Sequence, residues 1–314
     1  MADTPSAPEL LPMNGDDDAA APERHSTRRW LLGIGLTVVL NLAVTVAAFG
    51  GLYLQQRSFD LEQAKAVTEQ LTIASELVSR PEDTAQAAGF RMLARVAQVS
   101  PGDQGRVLDL AEAYIVNDRP VARRPEGYTD ERQIYVANTG TQAAVDVIRS
   151  RTIARDPGGP GQRAFNLPGL VVEAVRFHDV VMRKTQGQAC TGRKSEWDRA
   201  DLRGSDFWSC GFKWARFVDA NLHAVQLQSS VLEDADFTNA DLTGADLDGV
   251  VINAKTVFRG ADLGGATFAG TDLSSADFAG VKSIAGADFS RAKGVERARN
   301  LRNAQGAQSA LWPH

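Results

Sequence analysis

Residues 240–249 read ADLTGADLDG, two tandem copies of alanine, aspartate and leucine, each followed by two small or polar residues. Bulky apolar side chains recur around them at every fifth position: Leu202, Phe207, Phe212, Phe217, Leu222, Leu227, Leu232, Phe237, Leu242, Leu247 and Ile252. Two positions before each stands a small or short residue, from Ala200, Ser205 and Cys210 to Ala240, Ala245 and Val250. After one inserted residue the beat resumes at Phe258, Leu263, Phe268, Leu273 and Phe278, and after a second slip at Ile284 and Phe289. A period of five belongs neither to a helix, with 3.6 residues per turn, nor to an alternating strand, with a period of two. It fits a solenoid with a very short unit.

The stretch resembles the pentapeptide-repeat family, whose pattern is A-(D/N)-L-x-x. The resemblance is carried by Ala200-Asp201-Leu202, Ala220-Asn221-Leu222, Ala235-Asp236-Phe237, Ala240-Asp241-Leu242, Ala245-Asp246-Leu247, Ala261-Asp262-Leu263, Ala276-Asp277-Phe278 and Ala287-Asp288-Phe289. It implies a β-solenoid, specifically a right-handed quadrilateral β-helix with four pentapeptides per coil. The bulky and small residues then point into a dry, filled interior, the aspartates face solvent, and successive coils stack about 4.8 Å apart. Counting back in fives from Leu202 reaches Trp197 and then Met182, Phe177, Val172 and Leu167, which sets the start of the repeat domain near residue 165. Residues 183–196, RKTQGQACTGRKSE, break the pattern and are expected to form a degenerate side or an excursion. The domain is assigned to 165–294, and 295–314, where the beat is lost, to a C-terminal cap or tail.

Upstream, residues 1–29 are rich in Pro, Ala and acidic groups with little to bury, and are expected to be a disordered tail. Residues 30–54 contain no charge and are long enough for a single transmembrane helix. Arg24, Arg28 and Arg29 before the segment outweigh Arg57 and Lys65 behind it. The expected location is therefore a bacterial inner membrane, with the N-terminus cytoplasmic and the bulk of the chain extracytoplasmic. The stretch STRRWLL resembles, in part, a twin-arginine export signal. Residues 55–155 read as an α-helical module. Ala64, Val67, Leu71, Ala74 and Val78 form a helical stripe that fits packing on the next helix, or pairing with a second copy into a homo-oligomer. Further helices fit 84–99, a segment capped by Ser100, and 141–153, before the breaker-rich linker DPGGPGQ. This order of parts resembles bacterial membrane-anchored members of the family.

A net charge of −5 argues against a basic nucleic-acid binder, and no nucleic-acid partner is expected. His25, His178, His223 and His314 share no metal-ligand spacing, and two cysteines are too few for a four-ligand zinc site. Single aspartates alternating with apolar residues gather no calcium loop. No triad order, paired catalytic carboxylates, P-loop or dinucleotide fingerprint is present, so the reading is a non-enzyme with no cofactor. With the implied four-sided coil, Cys190 and Cys210 stand one coil apart on inward positions. That spacing suits either a disulfide or two unlinked buried thiols. Glu233, Asp234, Asp236, Asp241, Asp246 and Asp248, with no base among them, form a candidate acidic docking face, a solvated surface being the alternative. The expected function is a membrane-anchored binding or scaffolding protein for an unidentified protein partner. The alternative, carried by the resemblance, is a DNA mimic that binds or protects DNA gyrase. Against it stand the basic residues Arg199, Arg203, Lys213, Arg216, Lys255 and Arg259 within the repeats.

Overall fold

The computed structural model describes residues 24–117 and 137–314, with side chains from residue 40 onward. Most of the expected tail (1–23) and the Arg- and Pro-rich connection at 118–136 lie outside the described residues. The chain divides into two units, residues 1–64 and 65–314. In the first, α1 begins at Arg24, the start of a helix that runs to Val78. Among the described residues no helix is long and apolar enough to cross a membrane. The expected transmembrane helix at 30–54 is corrected accordingly, and with it the single-span membrane partner and the inner-membrane location. Beyond Leu54 the same helix carries Arg57, Asp60, Glu62 and Lys65 and continues to Val78, where its last turns pack in the helical module.

In the second unit, the end of α1 packs with α2 (Asp83–Val99), α3 (Gln104–Asn117) and α4 (Thr139–Ser150). Val67 and Ala74, two members of the stripe read from the sequence, are buried here together with Phe90, Leu93, Val96, Val107, Ile115 and Ile148. At Gly89 a Cβ would lie 2.7 Å from the carbonyl oxygen of Ala74, so glycine is what lets α1 and α2 touch. Asn138 caps α4 by accepting from the backbone N–H groups of Gly140 and Thr141 at 2.7 and 3.2 Å.

From residue 165 the chain winds into a stack of four-sided coils. Each side contributes one parallel backbone bridge, and each bridge falls on the residue before the bulky one. On one side Asn166 pairs with Gln186, which pairs in turn with Asp206, Gln226 and Asp246, twenty residues per coil. No multi-residue strand forms among the described residues; the sides are single bridges joined by tight turns. The turn residue two after the bulky position has positive φ at every corner from Gly169 to Gly249. In the early coils it is often not glycine, as at Lys184 (56°) and Trp214 (61°), whereas Gly249 (62°) typifies the later ones. Each non-glycine there costs on the order of 1–2 kcal/mol, a cost that only continuous stacking sustains.

Residues 183–196 are not an excursion. Gln186, Thr191 and Glu196 bridge in register both to the coil before and to the coil after. The beat is hidden because its bulky positions are occupied by Gly187 and Gly192. A Cβ on either would lie 2.7 Å from ring atoms of Phe207 or Phe212, so the two rings of the following coil fill the space their missing side chains leave. The two slips near 252 and 282 are absorbed at corners, where the bridge spacing lengthens from twenty to twenty-one residues, as in Asp236 to Val257. Residues 295–314 add one looser coil on longer sides: Arg299 bridges to Asp277, Leu311 to Asp288, and Trp312 stacks on Phe289 at 5.3 Å.

Gly192→Ala should lower stability by about 1–3 kcal/mol through overpacking. Gly211→Ala, whose Cβ would meet nothing closer than 4.0 Å, should change it by less than about 0.5 kcal/mol. Chemical denaturation of the two variants checks the contrast.

Candidate functional site

The interior offers no chemistry. Phe177, Trp197, Phe217, Phe237, Phe258 and Phe278 stack in one axial column at 3.8, 6.2, 5.1, 5.5 and 5.5 Å between ring centroids. The buried indole of Trp197 donates to Ser195 Oγ at 2.7 Å, and that hydroxyl donates to the Gly192 carbonyl at 2.6 Å. Polar residues at the small inward position serve the backbone. Ser205 donates to the Met182 carbonyl at 3.0 Å and accepts from the Thr185 N–H at 3.1 Å, and Ser230 repeats the arrangement with Phe207 and Cys210. A concavity of about 300 Å³ between α3 and the first coil holds Asp109 and Glu112. Arg163 engages both carboxylates, at 2.7 and 3.0 Å. Among the described residues no group of three His, Cys, Asp or Glu side chains is placed to hold a metal ion. His178 instead meets Glu196 at 2.7 Å and His223 meets Thr243 at 2.8 Å.

Cys190 and Cys210 are both buried and stand on successive coils, with Cα atoms 4.5 Å apart and sulfurs at bonding distance.

The acidic group is distributed around the molecule. Asp246 and Asp248 lie on the side that begins with Asn166, Glu233 and Asp234 on the Val171 side, Asp236 on the Arg176 side and Asp241 on the Val181 side. The six residues make a belt around one coil, and no single side presents them together. Consecutive residues on a four-sided coil must turn the corners, which a linear reading of charge does not register. Most of these carboxylates also have structural partners. Asp236, Asp241 and Asp246 accept from the backbone N–H two residues on, at 2.9, 3.0 and 3.1 Å, closing the turn that follows the bulky residue. Glu233 pairs with Lys213 at 3.4 Å, and Asp234 accepts from the Trp214 indole at 2.9 Å.

One side departs from the others. The bridging residues on three sides are mostly Asp, Asn, Gln, Glu or Arg, whereas on the fourth they are Val171, Thr191, Gly211, Val231 and Val251. Val251 is 48% exposed, and Trp208, three residues before Gly211 around the corner, is 50% exposed. Nothing in the five-residue beat marks this surface; the signal is Val, Thr or Gly in place of a charged or amide residue before the bulky position at every fourth repeat from Val171 to Val251.

A family model described as "Pentapeptide repeats" matches residues 215–253 and 256–293 in eight copies. Residues 215–293 of the chain are thus pentapeptide repeats. Solved structures similar to it include a pentapeptide repeat protein from the Arabidopsis thaliana thylakoid lumen, 22% identical over 33% of this chain and 61% of that one, with a TM-score of 0.25. Another is QnrB1, a plasmid-mediated fluoroquinolone resistance protein, 17% identical over 41% of this chain and 81% of that one, with a TM-score of 0.29. A third is HetL from the cyanobacterium Nostoc, a pentapeptide repeat protein involved in heterocyst differentiation regulation, 19% identical over 47% of this chain and 85% of that one, with a TM-score of 0.20. The chain spans about three-fifths of the first of these. No curated protein matched it.

In these repeats the aspartate of the motif is a turn-former whose bonds favour the ionised state. The Ser274 hydroxyl, the Asn300 amide and the Ser290 hydroxyl hold the carboxyls of Asp272, Asp277 and Asp288, respectively, below the ordinary aspartate range. Because these folded-state values are depressed, their contribution is complete above the unfolded value of about 3.9 and is lost as pH falls through the folded ones. Changing all three to Asn keeps an acceptor at each turn but removes the charge. The triple variant should therefore be less stable than the parent near neutrality, and the difference should shrink as pH falls from about 4 to about 2, measured by thermal unfolding across that range.

Proposed function

We propose that the protein is a non-enzymatic binding or scaffolding protein that presents a right-handed quadrilateral β-helix to a protein partner. The observation that carries this reading is the Val171 side, where an apolar column replaces the turn-forming polar residues and Trp208 stands half exposed at its edge. Large aromatic side chains held on a rigid surface are the usual anchors of protein interfaces. Each bridge fixes its residue to the coils before and after it, so little ordering cost remains to be met on binding. The charges beside the column alternate, with Glu173 near Arg193 at 3.8 Å and Lys213 paired to Glu233 at 3.4 Å. This gives polar definition to the rim of an apolar strip.

The gyrase-protecting DNA mimic requires a continuous anionic surface. The acidic belt occupies one coil, and its neighbours carry ion-paired cations: Arg199 bound to Asp179 at 2.7 Å, Arg203 to Asp201 at 2.8 Å and Arg216 to Asp198 at 3.0 Å. Asp248 also accepts from the Ala269 N–H of the next coil, at 2.7 Å, so a docking role for the belt rests on the carboxylate oxygens that these contacts leave open. We propose further that Cys190 and Cys210 are disulfide-bonded, locking two coils of the early, glycine-poor part of the stack.

A photoreactive amino acid placed at position 208 should give discrete protein adducts in extracts of the source organism, and the same probe at Thr243, on the Val181 side, should give none. Absence of adducts from probes on all four sides would contradict a binding role for the β-helix.

A further inference from the structure

Within the stack, the N–H and carbonyl of each bridging residue point toward the preceding coil. Asp206, for example, donates to the Thr185 carbonyl at 2.8 Å and accepts from the Gly187 N–H at 2.7 Å. The first coil has no coil before it, yet its four bridging residues, Asn166, Val171, Arg176 and Val181, carry the same downward-pointing groups, and three of them are met from below. The helical module answers them with side chains. The Asn166 N–H donates to Glu112 Oε1 of α3 at 2.8 Å. The Arg176 N–H donates to Gln142 Oε1 of α4 at 2.9 Å, and the Arg176 carbonyl accepts from Gln142 Nε2 at 2.9 Å. The Val181 carbonyl accepts from Arg151 Nη2. Arg151 is itself buried and held by Asp156 at 3.0 Å, so its position is fixed.

Gln142 is the informative member. A carboxamide has the donor and acceptor of a peptide group, and this one reproduces both halves of a missing bridge. An exposed sheet edge is a template for pairing with another chain, and soluble solenoids need their ends closed. What would otherwise pair here is also defined. Groups of the opposite sense, pointing away from the preceding coil, are what the last coil of a second copy presents around Arg299 and Leu311. A head-to-tail contact of that kind does not close on itself and grows into filaments.

We infer that the helical module is a stop built from three side chains, Glu112, Gln142 and Arg151, that occupies the N-terminal edge of the β-helix and prevents end-on stacking of a second copy. This role is independent of the lateral binding surface proposed above. The contacts reach across 54, 34 and 30 residues of sequence, so they depend on the folded module and on no local turn. Displacement of the module, by whatever means, uncovers a surface competent for assembly.

The full chain carrying Glu112→Ala with Gln142→Ala tests the inference by amide hydrogen exchange and sedimentation velocity on the same samples. The expected result is exchange at Asn166 and Arg176 faster by about tenfold, together with species that grow in size with concentration and are absent from the parent. Glu112→Gln, which keeps an acceptor for the Asn166 N–H, should behave as the parent. Faster exchange at both amides without association would overturn the inference, and so would unchanged exchange. If the double variant associates and also loses protection at Asp241 and Asp262, deep in the stack, it has misfolded. Gln142→Ala alone then decides: association with those amides protected supports the stop, and its absence overturns it.

Discussion

A single backbone bridge every fifth residue, repeated coil upon coil, is the constraint on which the rest of this structure depends. One bridge cannot hold a side in place, since it fixes five residues for two hydrogen bonds. It persists because the residue after it is a buried Leu or Phe and because the coils before and after supply the same pair. This explains how the early coils tolerate left-handed turns at Lys184, Asp219 and Trp214 (56°, 57° and 61°) without glycine. It also explains why polar residues inside are confined to Ser and Thr, whose hydroxyls reach carbonyls of the adjoining coil, as Thr256 does to Leu232 at 3.0 Å and Thr271 to Leu247 at 2.7 Å.

The motif aspartate takes on a different meaning in this setting. In ADLTGADLDG, Asp241 and Asp246 face outward, but each carboxylate folds back on the N–H two residues ahead, at 3.0 and 3.1 Å. The repeat therefore encodes its own corners, and charge written along the sequence becomes a belt around the coil. Distinctive surface arises where the motif is abandoned, on the side bearing Val171, Gly211 and Val251 and at the exposed Trp208.

The solenoid and its inward positions were legible from residues 200 to 289 because burial of Leu or Phe at a fixed period leaves a one-dimensional trace. Residues 183–196 were not legible, since Gly187 and Gly192 hold bulky positions for rings that come from the next coil, a compensation between residues twenty apart. The last coil was illegible for a similar reason: Leu301 and Trp312 take up the interior on sides longer than five residues, and Arg302 lies over the Trp312 ring at 4.6 Å. The cap formed by Glu112, Gln142 and Arg151 left no local signal at all, because each is an ordinary helix-surface residue until the first coil is placed above it. The expected membrane span came from composition between residues 30 and 54, and among the described residues no helix is long and apolar enough to cross a membrane.

Continuity of the register through residues 183–196 is the claim on which the first coils, the cap and the lateral surface all rest, and the two cysteines report on it directly. Residues 190 and 210 can meet only if the intervening segment makes one regular turn, which places their Cα atoms 4.5 Å apart, inside the range that a disulfide permits. Folding the protein in a glutathione redox buffer, blocking free thiols and mapping peptides without reduction measures this. The account predicts an intramolecular Cys190–Cys210 link in the folded monomer; two blocked thiols, or links formed only between chains, would contradict it.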